Sequence, residues 1–215
     1  MILYKILILF VILSGALPGY ALGQDISSPS AALPDLTGQQ KSILLMIARE
    51  AIEATIEGRD SREATVEPRL TIAQPMVVSV YIDGELRARA WALKTAQPLY
   101  LLARSLTYQA IDQPKVSDKA ISPEELSKAE ISIAVLSNYT RAKDETEIPP
   151  KSAVIVYYKF TEWMALPGDV KSDKAADLLS YACEQAGLRP HVWLLSETAI
   201  FQAKVEETRE ARKVN

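Results

Sequence analysis

The sequence predicts an α+β fold, a mainly antiparallel sheet with packed helices, built on one ample core or on two closely packed subdomains. Three observations carry this. Apolar residues recur at helical spacing in "KSILLMIAREAIEATIEG". The alternating stretch "MVVSVYIDGELRARAWAL" reads as a hairpin about a tight turn. The segments run helix, hairpin, helix, strands, helix, strand, without the strict strand–helix alternation of a parallel sheet. With 215 residues, 48% of them apolar and 24% charged, the chain can bury an ample core and is not of disordered composition.

The first segment is set apart. Lys5 precedes an unbroken apolar run, Ile6 to Leu13, then Gly15 and Pro18, with Ala21 and Gly23 at the −3 and −1 positions before Gln24. This is the layout of a secretory signal peptide over residues 1–23, and it predicts export to a periplasm or the medium. Tethering by an uncleaved N-terminal segment is the alternative. The run is short of the roughly 20 residues that a membrane-spanning helix needs, so no stable span is expected after cleavage. Residues 24–36, rich in Ser, Pro and Ala, form a linker. The domain is expected over 37–205, followed by a mixed-charge, solvated tail over 206–215.

Within the domain, Thr37 and Gln40 have capping-box spacing and start the first helix, whose apolar face includes Ile43, Leu44, Ile47, Ala48, Ala51, Ile52 and Ala54. Gly58 stops it. Residues 59–75 read as a loop. In the hairpin, a three-residue loop Ile82-Asp83-Gly84 puts Met76, Val78 and Val80 on one face with Leu86, Ala88 and Ala90. Val77, Ser79 and Tyr81 share the other face with Glu85, Arg87, Arg89 and Trp91. A two-residue Asp83-Gly84 loop would set Arg87 and Arg89 across from Val80 and Val78, and burial disfavours that register. "PLYLLARSLTYQAI" is an amphipathic helix, and Ser122, Pro123 and Glu125 open a short capped one. Glu130–Ser137 and Ala153–Phe160 are strands separated by a polar loop. A helix capped by Ser172 and ended by Gly187 follows, and "SETAIFQAKVEE" closes the domain as a strand.

Chemical signatures are few. The net charge of −3 becomes −4 once Lys5 leaves with the first segment, and basic residues do not cluster, so no nucleic-acid partner is expected. One His and one Cys fall short of a His/Cys zinc site, and no metal is expected. Cys183 has no partner for an internal disulfide and is expected to be buried in a helix with Leu179 and Ala186. His191 lies just past a helix end, as a loop residue. There is no G-x-S-x-G elbow, P-loop or G-x-G-x-x-G, and no cofactor is expected. Glu124/Glu125 read as helix-start charges and Glu206/Glu207 as tail. No residue stands out as catalytic.

The remaining signal is the hairpin face carrying Arg87, Arg89, Trp91 and Tyr81. Arg offers planar, bidentate donors to carboxylate or phosphate, and Trp and Tyr offer rigid contact area. These four are the candidate ligand-binding residues, for a protein or a small anionic ligand. A solvated strand face is the plain alternative.

"LTGQQKSILLMIAREAIEATIEG", "VVSVYIDGELR", "AISPEELSKAEISIAVLS", "ALPGDV" and "LLSYACEQAGLRPHVW", in that order and spacing, resemble the AMMECR-domain family over about residues 36–205. The resemblance implies an α+β fold of two packed subdomains. It also exposes a departure. The family signature L-R-G-C-I-G keeps only Leu86 and Arg87 here, with Ala88, Arg89, Ala90 and Trp91 in place of Gly, Cys, Ile and Gly. The family's D-P-R segment becomes Gln113-Pro114-Lys115. Arg89 thus stands where the family has its Cys, and chemistry using that thiol is closed to this chain. The resulting expectation is an exported, non-catalytic binding module. An enzyme with a rearranged site, using Asp169 or Lys115 with the arginines, and a structural envelope domain are the alternatives.

Overall fold

The structure, a computed structural model, describes residues 35–112 and 121–211. The expected signal peptide, most of the linker, and Gln113, Pro114 and Lys115 lie outside the described residues. The elements are α1 (Gly38–Glu57), β1 (Met76–Ile82), β2 (Glu85–Ala92), α2 (Leu99–Asp112), α3 (Pro123–Lys128), β3 (Glu130–Ala142), β4 (Ser152–Tyr158), β5 (Thr161–Ala165), α4 (Ala175–Gln185) and β6 (Thr198–Arg209). The strands form one six-stranded sheet, β2-β1-β3-β6-β4-β5, antiparallel at every junction. The α+β expectation holds. Among the described residues no helix is long and apolar enough to cross a membrane.

The sheet curls because β3 and β6 are long enough to serve both of its halves. On one outer face, Met76, Val78, Val80, Ala88, Ala90, Ile131 and Ile133 pack under α1 and α2. On the other half, Val154, Val156, Ala165 and Ile200 pack under Leu178, Leu179, Ala182 and Cys183 of α4. A third cluster fills the inside of the curl, where Val77, Trp91, Leu136, Ile155, Met164 and Ala203 meet from both halves. Cys183 is fully buried, and burial pushes its thiol pKa up.

Local signals act as the sequence predicts. Thr37 and Gln40 form a reciprocal capping box on α1, and Gly58 ends that helix in the left-handed conformation. Ser122 and Glu125 form a second box on α3. Gly187, at φ 71°, ends α4 with the Leu188 N–H returning to the Cys183 carbonyl. Ser172 is not the cap of α4: Lys174 holds that position, and the Ser172 hydroxyl bonds Asp177 instead.

Five further expectations are corrected. The hairpin turn has two residues, Asp83 and Gly84, both at positive φ, with Ile82 paired to Glu85. The register then shifts between Tyr81↔Leu86 and Val80↔Ala88, leaving Arg87 as the extra residue of a bulge. That bulge restores the apolar face which the two-residue turn alone would have inverted. β3 continues past Ser137 to Ala142, through a bulge that holds Asn138 at φ 51°, where a loop was expected. β5 was not foreseen; it completes a hairpin with β4 across Lys159 and Phe160. Finally, the charged tail is structural: β6 pairs with β3 as far as Arg209, and Glu210 receives Arg49 and the Ile131 N–H. At the other boundary Leu36 is buried in the core and its N–H donates to Glu206, so it belongs to the domain and not to the linker.

Candidate functional site

Arg89 is the centre of the candidate face. It sits on β2 opposite Ser79, and its side chain is 2% exposed. Nη1 and Nη2 donate to Oδ2 and Oδ1 of Asp169 at 2.6 and 2.8 Å, and Nε donates to Ser79 Oγ at 2.9 Å. This is a buried bidentate pair with each of the three guanidinium nitrogens engaged. Burial alone would lower the Arg89 pKa, but the hydrogen bonds and charge of Asp169 hold it above the ordinary value. Burial also raises the phenols of Tyr81 and Tyr181, which stand beside the pair.

Asp169 is delivered by the turn Leu166-Pro167-Gly168-Asp169. Pro is at the second position, Gly168 at the third with φ 93°, and the Asp169 N–H donates to the Leu166 carbonyl at 3.1 Å, the pattern of a type II turn. In return the Leu166 N–H donates to Asp169 Oδ2 at 2.7 Å. In the sequence the residues of this turn stand out only through the family resemblance, and nothing there signals its reach across the curl to Arg89.

Trp91 is 7% exposed. Its indole N–H donates to Glu162 Oε1 at 3.0 Å, and its ring meets Trp163 edge-on, with centroids 5.0 Å apart. Both partners are on β5, so Trp91, like Arg89, spans from one half of the sheet to the other. Tyr81 is half-buried, and the Arg209 guanidinium lies 3.8 Å from its ring centroid, itself paired with Glu130 at 2.9 Å.

Arg87 does not share this environment. As the bulged residue it reaches Glu125 of α3, with Nη1 at 2.9 Å from Oε1. Glu125 Oε2 meanwhile accepts the Ser122 N–H of the capping box. Arg87 Nη2 is buried with no hydrogen-bond partner among the described residues. The four predicted residues therefore divide. Arg89 and Trp91 bind the two halves together, Tyr81 lies beneath Arg209, and Arg87 is the one of the four with a buried nitrogen that has no hydrogen-bond partner among the described residues. Glu162, Glu125 and Ser79 complete the arrangement. None carried a sequence signal for it, because each is defined by a cross-strand or interhelical partner. His191 is exposed, and among the described residues no group of three or more His, Cys, Asp or Glu is placed to hold a metal ion.

This geometry defines an α+β domain built on one curled antiparallel sheet, with an ion pair and a tryptophan pair closing the curl. The AMMECR1 family profile matches residues 45–207, and the chain belongs to the AMMECR1 family. The fold is also that of the uncharacterised protein PH0010 from Pyrococcus horikoshii, whose crystal structure superposes with a TM-score of 0.71 at 17% identity, covering 82% of this chain and 94% of that one. None of the curated proteins matches the sequence.

Proposed function

We propose that this chain is an exported, non-catalytic binding module of the AMMECR1 family, which takes an acidic group of a protein or a small anion at Arg87. The observation that carries the reading is the buried Nη2 of Arg87, a charged donor with no acceptor among the described residues. A buried unpaired donor costs about 1–3 kcal/mol, and more when charged, so an incoming carboxylate or phosphate gains by satisfying it. The ligand reaches Arg87 by exchanging with Glu125. Arg89 and Trp91 act as the frame of this site, and Tyr81 as its rim.

The non-catalytic part is supported by Arg89, which stands at the position of the family's signature Cys and has each guanidinium nitrogen bonded to Asp169 or Ser79. Asp169 is a poor acid or base for a rearranged site, since Arg89 and the Leu166 N–H engage both of its oxygens. Export is supported by the Lys5, Ile6 to Leu13 and Ala21-Leu22-Gly23 pattern.

The test is capture from the native envelope fraction with the whole chain and an Arg87→Ala version as matched baits, both checked by circular dichroism. A partner or anion retained by the first and lost from the second supports the reading. Identical capture, or none, leaves Arg87 as a clamp on α3 and returns the hairpin to a structural role. N-terminal sequencing of the envelope protein tests export, with Gln24 as the expected first residue.

A further inference from the structure

A groove of about 570 Å³ opens in the other half of the molecule, sharing no residue with the hairpin site. That is within the roughly 300–1,000 Å³ typical of ligand sites. Its two walls differ in chemistry. The end of β3 and the turn after it supply Arg141, Lys143, Asp144 and Glu145. The turn before β6 supplies Trp193, Leu194 and Leu195, and Ile200 lies at the floor. Leu194 and Leu195 are 63% and 43% exposed side by side, although large apolar side chains are usually covered.

Two of the four charged side chains on the polar wall, Asp144 and Lys143, are already engaged. Asp144 accepts from the backbone N–H and hydroxyl of Thr146, and these bonds hold its pKa below the ordinary value. Lys143 lies 3.8 Å from Glu147, which also accepts the Lys143 N–H. Arg141 is exposed, and its side chain makes no hydrogen bond or ion pair among the described residues. The groove thus places a guanidinium without a partner among the described residues along one wall and an exposed apolar surface along the other.

We propose that this groove takes the carboxyl end of a peptide whose last residue is apolar. Arg141 receives the terminal carboxylate through its planar fork, and the last side chain lies between Leu194 and Leu195 on Trp193 and Ile200. Asp144 and Glu145, on the same wall, disfavour a ligand carrying more than one negative charge. A fatty acid offers the same head group, but half of its tail would lie against the charged wall, whereas a peptide backbone is itself polar on that side. The site does not depend on the reading at Arg87.

The test is isothermal titration of the whole chain with acetylated tetrapeptides ending in leucine, isoleucine, valine or phenylalanine, each as the free acid and as the amide. The acids should bind about tenfold more tightly than the amides, the size of one charge-assisted contact. Arg141→Ala, on an exposed side chain, should erase that difference, and Leu195→Asp should weaken the acids. Glu53→Gln, on an exposed α1 side chain that lines neither site, should leave both unchanged. Equal binding of acids and amides, no binding of either, a preference surviving in Arg141→Ala, or decanoate binding as tightly as the acids would each overturn the proposal.

Discussion

The Arg89 guanidinium, once out of water, depends on Asp169 for its charge and on Ser79 for its Nε. Removing one member of such a pair leaves an uncompensated buried charge, at a cost of about 3–5 kcal/mol. Replacing both members with apolar side chains of similar volume is often neutral or stabilising, because the desolvation of both charges is removed as well. Arg89→Met should therefore lose about 3–5 kcal/mol in urea denaturation, whereas Arg89→Met combined with Asp169→Leu should recover most of that loss. A double variant no better than the single one would mean that the pair is specifically required by the "LPGD" turn, which also uses Asp169 to hold the Leu166 N–H. Arg87 behaves differently under the same logic. It is 20% exposed with one partner at 2.9 Å, so its loss should cost far less stability than the loss of Arg89.

At the scale of elements, what could be read from the sequence is what the sequence decides locally. Thr37 with Gln40 and Ser122 with Glu125 mark their helix starts because the bonds they make lie within four residues. Thr37→Ala should cost about 1 kcal/mol, seen as a fall of roughly 2–4 °C in the melting temperature. Thr37→Ser should keep most of that stability, and an unchanged melt in Thr37→Ala would mean that packing alone sets the start of α1. The elements that were not legible are those set by partners distant in sequence. The faces of the hairpin were right beyond the bulge, where Ala88 and Ala90 pair with Val80 and Val78 and Arg89 and Trp91 with Ser79 and Val77, but not at the turn, where Leu86 pairs with Tyr81, Glu85 with Ile82, and Arg87 is the bulged residue. Alternation fixes which residues share a face, not how the chain arrives there. β5 is five residues long and follows Lys159 and Phe160, neither a turn former, so only its pairing with β4 defines it. The charges of "KVEETRE" suggested a solvated tail. Instead they face partners on both sides, Glu206 taking the Leu36 N–H, Glu207 the Ser132 hydroxyl, and Arg209 pairing with Glu130.

Across the whole molecule, two helix-covered halves share the strands β3 and β6 and are closed against each other by Arg89–Asp169 and by Trp91 against Trp163 and Glu162. The sheet is continuous, so the halves can separate at this seam without breaking the β3–β6 ladder. An uncurled state would keep its secondary structure while wetting the inner cluster. Destabilising the closed state alone should bring that uncurled state into view, because the seam contacts are absent from it and its own energy is unchanged. In a Trp193→Phe background, fluorescence reports Trp91 and Trp163 at the seam, while far-ultraviolet circular dichroism reports the sheet and helices. The two denaturation curves should coincide for the parent protein. With Arg89→Met added, the fluorescence change should come at lower urea than the loss of dichroism, leaving an intermediate with an intact ladder and an open curl. Curves that shift together would show that the halves unfold as one unit. Arg89 would then stabilise the domain as a whole and not act as a joint between its halves.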